Sequence, residues 1–275
     1  MALNRREPIT GLAAAPVAAA PGTAAPALPA TDTYPSNTAL YSDPALVEGV
    51  DYGRRCRRHP IDDQDPAGRA PFVRTTVIAP HGGGIEEGTS ELCLAIAGYH
   101  PAGLAPHPAA GPVHDFWLFE GLRATGNAAL HVTATHCDDT MARSLAAGSL
   151  NVVAVHGCSA ARAGMEPGAR AVLVGGLNPA FRQYLVEEFT AAGICAVSAT
   201  GQEGIAGIAP DNICNRTLLG TGAQLEVTAD LRAEMFAAGR NTPARRAEST
   251  LPLFWSFVAA ARAAIARVEA EQHLL

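Results

Sequence analysis

The sequence predicts a single α/β domain with a mostly parallel or mixed central sheet between helical layers. Three observations carry this. Candidate strands alternate with candidate helices along the chain. The strands around Val77 and Val152 are apolar at nearly every position rather than at every second one, as in sheets covered on both faces. Of the 275 residues, 48% are hydrophobic, enough for a sizeable core.

Residues 1–35 stand apart as an Ala/Pro-rich segment with too few bulky apolar side chains to offset the entropy of ordering it. It reads either as a tail or as an export signal, with Arg5-Arg6, a weakly apolar middle and small residues at Ala27-Leu28-Pro29-Ala30. The pattern resembles a twin-arginine signal, although Glu7-Pro8 departs from it, so secretion is expected and a cytoplasmic location is the alternative. Residues 36–275 form the globular domain. Arg74 to Ala79 is β-branched and bounded by Pro80, which predicts a strand. Glu87 to Ala97 has helical spacing, with Thr89 and Ser90 as candidate caps. His100 to Pro112 is rich in Pro, Ala and Gly and reads as a loop. Strands are expected at Asp115–Phe119, Ala129–Thr135, Leu150–Val155, Ala171–Val174, Ile194–Val197 and Ala223–Thr228. Helices are expected at Asp138–Ala147, Pro179–Ala192 and Ser249–Glu271.

The formal net charge of −6 leaves no basic stripe for neutralising phosphates, which excludes a nucleic-acid partner. The short clusters Arg54-Arg55-Cys56-Arg57-Arg58 and Arg245-Arg246 lie near acids and read as solvated surface. The sequence offers no apolar run of the ~18 residues a membrane-spanning helix needs. The six cysteines form no C-x-x-C pair, so no zinc ribbon or thioredoxin motif is indicated. Disulfides remain compatible with export.

The stretch Val77-Ile78-Ala79-Pro80-His81-Gly82-Gly83-Gly84-Ile85-Glu86 places three glycines between a histidine and a carboxylate. Its order fits neither G-x-G-x-x-G nor a P-loop. Glycines there let the backbone fold back so that His81 and Glu86 face one point, a donor set that suits Zn²⁺. A plain strand-to-helix turn, with Glu86 and Glu87 at the helix N-terminus, accounts for the same residues. Val152-Val153-Ala154-Val155-His156-Gly157 repeats the pattern of buried strand, His, Gly. In a parallel sheet both histidines reach one rim, where sites form, giving a His81/Glu86/His156 set. Within Ala223–Thr228, Gln224, Glu226 and Thr228 share a face, so Glu226 is either a general base or a solvent-facing acid. Arg216, beside Asn215, either grips a carboxylate or lies on the surface. His131 and His136, near Asp138 and Asp139, could bind metal, line the site or serve local structure. No G-x-S-x-G elbow is present.

Ala79-Pro80-His81-Gly82-Gly83-Gly84-Ile85-Glu86, Phe119-Glu120-Gly121-Leu122, Leu130-His131-Val132-Thr133, Val155-His156-Gly157-Cys158, Val174-Gly175-Gly176-Leu177, Asn212-Ile213-Cys214-Asn215-Arg216 and Gln224-Leu225-Glu226 together resemble the poly-γ-glutamate hydrolase family, including its phage-type zinc enzymes. The resemblance covers about Val50 to Leu231 with the motifs in family order. It implies a zinc carboxypeptidase-like fold, one Zn²⁺ per chain held by His81, Glu86 and His156, and Glu226 as general base. Asn215-Arg216 resembles the carboxypeptidase pair that holds a carboxylate, with His131 and His136 as further substrate contacts. The segment His100–Pro112, the first 35 residues and the helix after Ser249 look like additions to the phage-type pattern.

The resemblance therefore implies zinc-dependent hydrolysis of γ-glutamyl amides, with poly-γ-glutamate or another acidic γ-glutamyl peptide as substrate. Two alternatives use the same residues. One is a zinc carboxypeptidase or N-acyl amino acid amidohydrolase. The other is a non-catalytic binder of acidic polymers with structural zinc, against which stands a His/Glu/His set that leaves a coordination position open.

Overall fold

The computed structural model describes residues 32–59, 75–109 and 111–272. Most of the N-terminal segment read as a tail or export signal lies outside the described residues. The elements run in chain order as α1 (Asn37–Tyr41), β1 (Tyr52–Arg57), β2 (Thr75–Gly83), α2 (Thr89–Ile96), β3 (Asp115–Gly121), α3 (Thr140–Ala147), β4 (Asn151–Cys158), β5 (Val172–Gly175), α4 (Pro179–Ala191), β6 (Ala196–Ser198), β7 (Ala223–Thr228), α5 (Ala229–Glu234) and α6 (Pro252–Glu271).

The strands form one mixed seven-stranded sheet in the order β1-β3-β2-β4-β7-β5-β6. The centre, β3-β2-β4-β7, is parallel, while β1 runs antiparallel to β3 and β5 antiparallel to β7. Every residue of β2 and β7 is buried, as expected of central strands covered on both faces. Side-chain alternation divides the core in two. Val77, Val153, Val155, Leu225 and Val227 face one way and pack with residues of α2, α4 and α6. Ile78, Val152, Ala154, Trp117 and Phe119 face the other way, against Leu40, Leu145, Leu130 and Ile213. His156 and Glu226 follow the second alternation and emerge on that face.

Several sequence expectations need correction. β2 does not stop at Pro80 but continues to Gly83. Pairing with β4 ends at Ile78, and the register with β3 shifts between Ala79 and Gly82, so the missing N–H of proline is not required by a ladder. Ala129–Thr135 is not a strand: two 3₁₀ turns, Asn127–Leu130 and Ala134–His136, flank an extended link. Leu130, Val132 and Ala134 are buried and alternate with polar residues, which mimics a strand. Their backbone partners lie elsewhere: Val132 O accepts from His81, and Thr133 N–H donates to Asp32. Of the two arginine clusters, Arg54–Arg58 lies on the solvated edge beside acids as read, mostly in β1, with Arg55 paired to Glu120 and Arg54 to Glu48 and Asp139. Arg246 of the second cluster is instead fully buried, its guanidinium bonded to Asn241 and Gly83 O. Thr89 and Ser90 do not cap α2, whose N-cap is Gly88; Ser90 Oγ instead accepts from Gly83 N–H. All six cysteines are free thiols.

Candidate metal centre

The three glycines are demanded by close approach. A Cβ on Gly82 would collide with Ser90 Oγ and one on Gly84 with the Asn127 amide. Gly83 has φ +64°, and a Cβ there would strike the Gly121 carbonyl oxygen. The loop thus lies flat on β3 and returns Glu86 toward His81, with Glu86 N–H donating to His81 O at 2.8 Å.

His81 Nδ1 lies 2.9 Å from Glu86 Oε1 and 3.1 Å from His156 Nδ1, and His156 Nδ1 lies 4.0 Å from Glu86 Oε2. Tetrahedral Zn²⁺ with bonds of about 2.0–2.1 Å sets its ligand atoms about 3.3 Å apart, so this spacing fits. The chemistry of the donors fits as well. His81 Nε2 is 2.9 Å from Val132 O; a carbonyl only accepts, so Nε2 carries a proton and Nδ1 can turn a lone pair to the ion. Glu86 Oε2 is held by Gly157 N–H at 2.7 Å. His156 Nε2 is buried without a hydrogen-bond partner.

The electrostatics show what the cluster favours. Burial opposes charge on Glu86, but the charge of His81, its hydrogen bond and the field of His156 outweigh it and hold the carboxyl well below its usual range. Burial likewise opposes charge on His81, but Glu86 prevails and raises it. His156 is pushed down by burial and by the His81 charge, so it stays a neutral donor.

Glu226 sits opposite His156 in the β4–β7 register and is buried. Gln224 Nε2 donates to Glu226 Oε1 at 2.9 Å, and Asn212 orients Gln224 through its Oε1 at 2.9 Å. Burial, then the nearby Glu86 charge, pushes the Glu226 carboxyl up to about 8. Environments that drive two neighbouring carboxyls apart in this way mark acid–base sites.

His81, Glu86, His156 and Glu226 line a cavity of about 1090 Å³. His131 lines it too, its ring 3.9 Å from that of His81 and its Nδ1 donating to Asp32 Oδ1 at 2.7 Å. His136 is exposed and is not among the cavity-lining residues. Asn215 and Arg216 also lie off the cavity wall. The Asn215 side chain is consumed by backbone contacts to Gly207, Ala209, Leu177 and Gly222, and Arg216 Nε donates to Asp211 O. The arginine on the wall is Arg162, in the turn after β4. No motif points to it, and Asp32 falls in the segment read as a tail.

A family model described as poly-γ-glutamate hydrolase matches residues 68–260, well over half of the chain. The chain belongs to the poly-γ-glutamate hydrolase family. Among solved structures, a bacteriophage poly-γ-glutamate hydrolase superposes with a TM-score of 0.70 at 30% identity, covering 88% of this chain and all (100%) of that one. The zinc-free apo form of YndL superposes with a TM-score of 0.65 at 27% identity, covering 89% of this chain and 100% of its own. Among curated sequences from Bacillus subtilis (strain 168), the UPF0714 protein YndL is 30% identical over 64% of this chain and 63% of its own length. The SPbeta prophage-derived UPF0714 protein YoqZ is 33% identical over 61% and 55%. These matches thus span less than two-thirds of the curated relatives. The family match ends at residue 260, inside α6, so the start of that helix falls within the family region and is not an addition to it.

Proposed function

We propose that this poly-γ-glutamate hydrolase family member is a zinc-dependent hydrolase of γ-glutamyl amide bonds. The observation that carries the reading is the buried His81/Glu86/His156 cluster with the protonatable Glu226 beside it on one cavity wall. His81, Glu86 and His156 would hold Zn²⁺, which when bound would supply a Lewis acid for the carbonyl and lower the pKa of water to about 7. Glu226, as carboxylate, takes a proton from the attacking water as the water oxygen bonds to the amide carbon. The C–N bond then breaks, and Glu226 returns that proton to the leaving amine. Gln224 keeps the Glu226 carboxyl aimed at the cavity, and the His81 Nε2–H bond to Val132 O fixes the tautomer that presents Nδ1.

The test is metal analysis together with hydrolysis of poly-γ-glutamate. The protein should hold about one zinc per chain, the usual count for a mononuclear site. Chelation should abolish shortening of the polymer and added zinc should restore it. Undiminished cleavage by metal-free protein, or no cleavage by zinc-loaded protein, overturns the proposal.

A further inference from the structure

The chain contains no lysine, so all 20 of its basic side chains are arginines. Most of those in the folded body are committed: Arg55 to Glu120, Arg123 to Asp51, Arg267 to Glu187 and Glu188. Arg162 differs. It is half-buried, and its guanidinium makes no hydrogen bond or ion pair with any described residue. It is also the one arginine among the described cavity-lining residues, which otherwise include the acids Asp32, Glu86, Glu203 and Glu226.

Its position is built rather than incidental. Arg162 N–H donates to Ser159 Oγ at 3.0 Å, and the next residue, Ala163, is buried and donates to Ser159 O. The turn is therefore anchored to the end of β4, the strand that carries His156. The chain from Gly201 to Ala209 forms another part of the cavity wall and passes against the guanidinium at Gly204. Gly204 has φ +78°, and a Cβ there would collide with Arg162 Nη2, so a glycine keeps this space open. Cys158, at the end of β4, and Glu226 line the same cavity as Arg162.

A planar guanidinium with no internal partner, beside a hydrolytic site, suits a carboxylate that arrives with the substrate. In a γ-linked glutamyl chain, the carbon bonded to each amide nitrogen carries a free α-carboxylate. In an α-linked chain that carboxylate is tied up in the next amide, and the free one lies at the far end of the side chain. We propose that Arg162 is the carboxylate-binding subsite of this cavity and selects γ- over α-linked glutamate by holding the α-carboxylate next to the scissile amide. The inference rests on the γ-glutamyl hydrolase reading and replaces Arg216 with Arg162 as the substrate-gripping arginine.

The experiment compares the zinc-loaded wild type, Arg162→Gln and Arg162→Lys on a γ-glutamyl oligomer and on the same oligomer with its α-carboxylates converted to methylamides. The wild type should prefer the acidic oligomer. Arg162→Gln should lower kcat/KM on it by about 10- to 100-fold, the usual worth of a hydrogen bond to a charged group. On the neutral oligomer the same variant should lose little. Arg162→Lys should fall between, because it keeps the charge and loses the fork. Zinc content and melting temperature serve as folding controls; if Arg162→Gln fails them, the Lys variant and the wild-type preference decide. Equal losses on both oligomers, or none, overturn the role of Arg162 and leave the hydrolase reading standing. A wild type that cuts neither oligomer nor poly-γ-glutamate overturns both.

Discussion

The proposed chemistry rests on two carboxyls whose burial has opposite consequences. In the metal-free site Glu86 is compensated by His81 and Gly157 and stays ionised; Glu226 is not, and its carboxyl is held protonated well above the ordinary carboxylate range. This makes a prediction for chelated protein. Between about 4.5 and about 8, folded Glu226 keeps a proton that the unfolded chain has released. Its contribution to stability is therefore full at low pH and is lost as pH rises through that window. Glu226→Gln removes the titration. The melting temperature of the variant minus that of the wild type, both in chelator, should grow from about pH 5 to about pH 8; a constant difference would show that Glu226 is not perturbed. With zinc restored, the same variant should retain metal while turnover falls roughly 10²–10⁴-fold.

The element that matters most is the loop between β2 and α2. It is held from several directions. Ser90 Oγ takes the N–H of Gly83, Arg246 donates to Gly83 O at 3.3 Å from a fully buried position, and Arg232 donates to Glu87 O. Arg232 also packs against Gly157, where a Cβ would collide with its guanidinium, so β4 and the loop share one brace. The loop tolerates no bulk on its β3 side. Gly83→Ala should destabilise by more than the ~1–2 kcal/mol of the left-handed conformation, because the Gly121 carbonyl must also move, and it should weaken zinc binding. Gly239→Ala is the control: φ is +71° but nothing lies within 4 Å, so only the conformational cost remains. Each kcal/mol should appear as about 2–4 °C in melting temperature for a domain of this size. Equal shifts in the two variants, with zinc affinity unchanged in both, would mean that the loop's contact with β3 does not shape the site.

At the scale of the molecule, the strand order brings the site together. β2, β4 and β7 are neighbours, so residues far apart in sequence arrive on one rim with no long-range loop needed to carry them. α6 closes the opposite face, with the Phe257 ring tilted against Phe189 of α4 at 4.4 Å between centroids, and leaves the cavity side to shorter segments. One of these includes Asp32, which holds both His131 and Thr133 N–H. If the first residues are an export signal, the mature chain should begin between Ala20 and Asp32, as the small residues there favour cleavage. Processing up to Asp32 retains the His131 contact. N-terminal sequencing of protein recovered outside the native cells checks this; an intact Met1 or Ala2 would exclude processing. A Ser36 start, made by truncation, should cost activity by releasing His131, whereas an Asp32 start should not.

What the sequence determined by itself is whatever local pattern and residue chemistry report. Fully apolar strands specified a covered central sheet. The repeated run of strand, histidine and glycine marked His81 and His156 as rim residues. Alternation in Ala223–Thr228 put Glu226 opposite the face of Leu225 and Val227, which pack into the core. The tertiary structure decided everything that depends on a partner. Leu130, Val132 and Ala134 alternate as a strand does, yet their backbone is satisfied by a histidine and an aspartate, because burial alternation says nothing about who accepts the hydrogen bonds. Arg216 and Arg162 look alike as letters; one reaches a backbone carbonyl of its own turn, and the other is placed on the cavity wall by a turn anchored at Ser159. Asp32 likewise gained its place beside His131 only when the chain folded back across 99 residues. Residue type and spacing set what a side chain can do, but which groups it meets is fixed only by packing.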